Sequence, residues 1–120
     1  MSGKETFTLG YLGYSFQLKV LAQIMSDKTF TNSIVPILNS SYFDDASCVF
    51  IAKVLKEYYN RYEKIPSYDI LDSLIRTEIK TEVQRKYVLD LIVEIRNEDL
   101  SDSEYVQEKS KEKDIKPNYE

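Results

Sequence analysis

Residues 40–64 read SSYFDDASCVFIAKVLKEYYNRYEK, and the periodicity of this stretch decides the fold class. Cys48, Ile51, Leu55, Tyr58 and Tyr62 follow at alternating steps of three and four, the spacing that collects side chains along one stripe of an α-helix. Ser41 with Asp44 ahead of it resembles a capping pattern, so a long helix is expected to begin there. On this reading Tyr58 and Tyr62 face the core. Tyr59, roughly a hundred degrees further round, lies on the flank and is a candidate for contact with a partner.

The same periodicity extends to both sides. In YSFQLKVLAQIMS, Tyr14 to Ser26, the residues Phe16, Val20 and Ile24 recur every fourth place and Leu18, Leu21 and Met25 widen the apolar face. A second helix is expected over Phe30, Ile34 and Leu38, kinked or shortened by Pro36, which lacks a backbone donor. Pro66 disfavours helix at Ile65, and Ser67 is positioned to cap a helix carrying Ile70, Leu71, Leu74 and Ile75. Thr81 with Gln84 reads as a capping box, followed by Val83, Tyr87, Leu91 and Ile95. Ser101 with Glu104 repeats that signature. No alternating β pattern interrupts the series, so the expected fold is all-α, a compact bundle of five or six helices. The expected organisation is an N-terminal arm over 1–13, a helical domain over 14–106, and a polar tail or the start of a linker over 107–120.

Composition narrows the function classes. The chain has 120 residues, the size of one domain, and a hydrophobic fraction of 42% that argues against wholesale disorder. No run approaches the ~18 apolar residues needed to span a bilayer. The N-terminus lacks the apolar stretch of a secretory signal, and a single cysteine excludes an internal disulfide, so an intracellular, cytoplasmic site is expected. A net charge of −4 speaks against a domain built to neutralise phosphates, so strong direct binding of nucleic acid is not expected. The sequence has no histidine and only three glycines, and no phosphate-cradling G-x-x-x-x-G-K-[ST] loop can be written.

The remaining chemical candidates are sparse. Asp44 and Asp45 stand at a helix start, where carboxylates chiefly favour the positive end of the helix dipole. Glu98, Asp99, Asp102 and Glu104 lack calcium-loop spacing and read as a solvated connection. Cys48 sits on the apolar stripe with no histidine to generate a thiolate. No nucleophile, base and orienting group can be assembled from these residues, and neither a cofactor nor a metal is expected. Ten tyrosines are the stronger signal, because a tyrosine buries area at an interface while its hydroxyl stays wetted.

From Phe16 to Leu74 the order of elements resembles the N-terminal domain of DnaB-type replicative DNA helicases, particularly their divergent phage members. That family's opening helix bears a Val-Leu-x-x-hydrophobic-Met/hydrophobic-x-Asp pattern, matched by Val20, Leu21, Ile24, Met25 and Asp27. The interval from Asp27 to Phe43 fits, and the proline-marked turn with its following helix is matched by Pro66, Asp69, Ile70, Leu71 and Leu74. The histidine and phenylalanine typical of the bacterial long helix are absent, with Cys48, Phe50 and Ala52 in that region. The resemblance implies a helical collar domain that pairs with copies of itself, stabilises a hexameric ring and docks primase or a loader. The nucleotide site would lie in a separate motor domain, with the polar tail leading towards it. The interface expected here is Tyr59 with the Lys64, Ile65, Pro66, Ser67 turn. The alternative is a free-standing small phage adaptor that binds a replication or host factor through the same kind of surface.

Overall fold

The structure, a computed structural model, describes residues 13–39 and 42–112. The arm up to residue 12, Ser41 of the proposed cap, and the tail from residue 113 lie outside the described residues. Six α-helices occur among the described residues: α1 (Tyr14–Ser26), α2 (Lys28–Ile34), α3 (Ala46–Tyr62), α4 (Tyr68–Glu78), α5 (Glu82–Arg96) and α6 (Ser103–Glu112). A single 3₁₀ turn, Val35–Ile37, follows α2. The all-helical bundle expected from the periodicity is therefore the observed fold. Among the described residues no helix is long and apolar enough to cross a membrane.

α1 is the centre of the bundle. It packs against α2, α3, α5 and α6, and α4 joins through α5. Phe16, Leu18, Val20, Leu21, Ala22 and Ile24 are all buried, so this helix is enclosed on nearly every side. Gly13, with φ of +95°, leads into it in a backbone conformation that a side chain would strain. α1 ends at Asp27, which caps the next helix by accepting from the Phe30 N–H at 3.1 Å. Thr31 is buried at the same corner and donates to the carbonyl of Asp27 at 3.0 Å. Pro36 sits within the 3₁₀ turn and α2 stops at Ile34, as its missing donor requires.

Three expectations need correction. The cap of α3 is Asp45, whose Oδ2 accepts from the N–H groups of Ser47 and Cys48 at 3.1 Å each. Asp44 is turned instead towards α1, where its Oδ1 accepts from Gln17 Nε2 at 2.7 Å. On α5, Leu91 and Ile95 are buried but Val83 is 81% and Tyr87 59% exposed; Val88 and Ile92 complete the inward face. A strict repeat of four gains about 40° per step on a helix of 3.6 residues per turn, so its first members spiral out of the core. Thr81 stands at the N-cap of α5 but makes no side-chain cap bond. Before α6, the Asp99 carboxylate accepts from Ser101 N at 2.9 Å, in place of the expected Ser101–Glu104 box.

The folded unit also continues past Val106. α6 runs to Glu112, with Val106 and Ser110 buried against α1 and α2. Gln107 Nε2 donates to Gln23 Oε1 at 2.6 Å and to Asp27 Oδ2 at 2.9 Å. Tyr105 meets Phe16 edge to face at 6.4 Å, and Lys19 ties the preceding loop by an ion pair to Glu98 at 3.1 Å. Polar residues here make inward contacts that a hydropathy pattern does not reveal.

Two measurements check this packing. Leu55 has no exposed surface, so Leu55→Ala is expected to lower unfolding stability by about 2–5 kcal/mol. Asn60→Ala on the exposed face of the same helix is expected to stay within about 0.5 kcal/mol. Lys56 is a poor control, since its amine donates to the Leu38 carbonyl. Equal urea midpoints for the two variants would overturn the placement of α3. The Asp27 carboxyl is held below its ordinary value of 3.8, chiefly by the Phe30 N–H, with Gln107 and Lys111 assisting. Its stabilisation is complete above that value and is lost as pH falls through the lower folded-state value. Asp27→Asn keeps a capping side chain but does not titrate, so its urea midpoint is expected to fall less steeply on acidification than that of the wild type.

Candidate protein-interaction site

The end of α3 and the turn into α4 bring together the residues singled out by the tyrosine cluster. α3 terminates because Glu63 adopts the left-handed conformation, φ 57° and ψ 31°, and its N–H donates to the Tyr59 carbonyl. Glycine is the usual residue at such a position. Pro66 is buried and keeps the chain extended ahead of Ser67, whose Oγ accepts from the Ile70 N–H at 3.3 Å and starts α4. Sequence therefore sets this turn locally, through one proline and one serine.

The three tyrosines divide differently from the expectation. Tyr59 is half-buried and packs on the core, and its hydroxyl donates to Asn32 Oδ1 at 3.1 Å. Tyr58 is half-buried, outside the core, and Tyr62 is 53% exposed. Their rings lean on each other at 4.5 Å with planes tilted by 46°. No residue of α3 after Leu55 is buried, so the last two turns of the helix project past the core. At ~100° per residue Tyr58 is rotated well off the stripe axis, and Tyr62 lies in the overhanging end, where no helix covers it.

Of the residues expected at the interface, Lys64 and Ile65 line a cleft of about 280 Å³ with Met25, Lys28, Asn32 and Glu63. Tyr59 reaches that cleft through its bond to Asn32. Lys64 and Ser67 are exposed, Ile65 is half-buried against the core, and Pro66 faces inward. The turn thus offers a charged rim over an apolar floor.

Comparison with protein-family models, with curated proteins and with solved structures finds no match to this chain.

The chemical candidates have structural partners. Burial, with Asp45 nearby, pushes the Cys48 thiol up to about 12, so it keeps its proton, and a thiol in that state is a poor nucleophile. Tyr14 is likewise pushed up to about 12 by burial and by Glu94. Asp45 spends its carboxylate on the α3 cap and Asp44 on Gln17. Among the described residues no group of three or more His, Cys, Asp or Glu side chains could hold a metal ion. The feature sequence reasoning missed is the outward Tyr58–Tyr62 pair. Its signal was the interleaved Lys53, Glu57 and Arg61, which mark that side of α3 as solvent-facing.

Because Tyr59 packs on the core, Tyr59→Ala is expected to cost about 1–3 kcal/mol of stability. Tyr59→Phe, which removes only the exposed hydroxyl bond, is expected to cost at most about 1 kcal/mol. Thermal or urea melts distinguish the pair; an unchanged Tyr59→Ala variant would place the ring outside the core.

Proposed function

We propose that the chain is a non-catalytic assembly and protein-interaction domain standing ahead of a replicative helicase motor. In this role it supports ring oligomerisation and offers a docking surface to primase or a loader. The order of helices from Phe16 to Leu74, which resembles the DnaB-type N-terminal domain, is one support for this reading. The observation that carries it is the apolar surface left uncovered on α5. Val83 and Tyr87 are largely exposed on a helix whose other face is buried, and Val93 and Ile70 are exposed as well. Such residues on a small domain favour association, because burying them between copies removes apolar area from water.

The turn at Lys64 and Ser67 lies on separate elements, so self-pairing through α5 leaves it free for a second protein. A ring component needs both kinds of contact: one between copies, and one to the enzyme it recruits. Catalysis would reside in the motor, and this segment's contribution is to set the spacing and stoichiometry of what binds.

Sedimentation velocity over a concentration series tests the proposal. The wild-type chain is expected to form dimers or larger species, and Tyr87→Glu to weaken that association at least about tenfold with no change in melting temperature. A wild-type chain that stays monomeric at every concentration would remove the assembly role and leave the small-adaptor reading. Titration with a cognate primase, comparing wild type with Lys64→Glu, measures the docking role separately.

A further inference from the structure

The overhanging end of α3 forms one wall of a groove that neither the core nor the turn into α4 uses. Tyr58 and Tyr62 stand on that wall, Val54 and Phe50 line its inner end, and Leu74 of α4 faces them, enclosing about 340 Å³. Arg61 lies over the Tyr62 ring at 5.9 Å, which holds a cation beside the aromatic surface. Lys53 and Glu57 continue the rim along α3, and Glu78 closes it from α4. Among the described residues none of these four charged groups is in an ion pair. Lys56 lies on the neighbouring flank of the same helix.

We propose that this groove docks an acidic amphipathic helix of another protein. The occupant follows from charge and shape together. Lys53, Lys56 and Arg61 against Glu57 and Glu78 leave this surface at +1, and the remainder of a chain of net −4 is then at −5. It is a locally basic surface on an acidic protein, so a partner rich in carboxylates is attracted here and repelled elsewhere. Lys53 and Arg61 are eight residues apart in the sequence, about 12 Å along the helix axis at 1.5 Å per residue. A helix laid along α3 meets that interval with two carboxylates two turns apart on its own face.

The apolar floor sets the other half of the requirement. Phe50, Val54, Leu74 and the two tyrosine rings accept leucine- or phenylalanine-sized anchors, and tyrosine and arginine are the residues on which binding energy concentrates at interfaces. Glu57 and Glu78 discriminate against a polyphosphate backbone, whose evenly spaced charges cannot avoid them. A peptide places its carboxylates singly and sets an uncharged or basic side chain opposite each glutamate. The assignment does not depend on the helicase reading, since it uses only this surface.

A titration of the whole chain followed by amide NMR shifts tests it, with a synthetic probe about four turns long that carries leucines along one face and glutamates on the other. The controls are the same peptide with lysine for glutamate, and an oligothymidylate. The acidic peptide is expected to move resonances of Tyr58, Arg61, Tyr62 and Leu74. Lys53→Glu with Arg61→Glu is expected to weaken it at least about tenfold, and Tyr62→Ser about fivefold. Lys86→Glu, the same kind of charge reversal on exposed α5, is expected to leave binding nearly unchanged, which separates local docking from bulk attraction. Failure of the acidic peptide to bind, equal binding of the lysine peptide, or shifts confined to other helices would overturn the proposal. Oligothymidylate binding in the groove at physiological salt would reassign it to nucleic acid. Shifts at Tyr58 and Tyr62 that grow with protein concentration alone would reassign it to a second copy.

Discussion

Two glutamines inside the central helix constrain how every other element can sit. Gln17 and Gln23 are almost fully buried on α1, and a buried amide left without partners costs about 1–3 kcal/mol per group. Gln17 is satisfied by one residue: its Nε2 donates to the Asp44 side chain and its Oε1 accepts from the Asp44 N–H. That two-bond closure fixes where the chain enters α3. Gln23 is satisfied from the other end of the molecule, by the amide of Gln107 on α6, which at the same time reaches Asp27 at the α1–α2 corner. The apolar residues of α1 would pack against many neighbours. The glutamines accept only these, and so set the angle and register of the first, third and last helices together.

The same polar clamps explain which parts of the fold were legible beforehand. α1 runs over the residues its apolar pattern marks, α2 yields to Pro36, and Ser67 caps α4, because each of these depends on residues within one turn of one another. The misreadings share a different origin. Asp45 rather than the Ser41–Asp44 pattern caps α3 because Asp44 is drawn away by Gln17, 27 residues earlier. The residues after Val106 looked like a solvated tail because Gln107 and Ser110 are polar, yet their partners are inside the bundle. Val83 and Tyr87 fell on an apparent stripe that a helix of 3.6 residues per turn does not keep straight.

The interaction surfaces were legible in composition and less so in placement. A cluster of tyrosines beside a proline turn announces contact chemistry, but three tyrosines within five positions necessarily point in different directions on a helix. Which one turns inward depends on where the neighbouring helix ends. Here Tyr59 finds Asn32 and the core, and Tyr58 and Tyr62 find each other. The result is two distinct flanks on one helix end: a cleft under Lys64 and Ile65, and an aromatic groove beside Arg61.

The bond between Gln23 and Gln107 joins residues separated by 84 positions, and this has a consequence for synthesis on the ribosome. At about 5–20 residues per second, α1 emerges roughly 4–17 s before the helix that completes its surroundings. During that interval its buried glutamines lack one partner and its apolar faces lack a cover. The first helix of the chain is thus the last to be finished, and the nascent bundle is most exposed to aggregation or chaperone capture at its own centre.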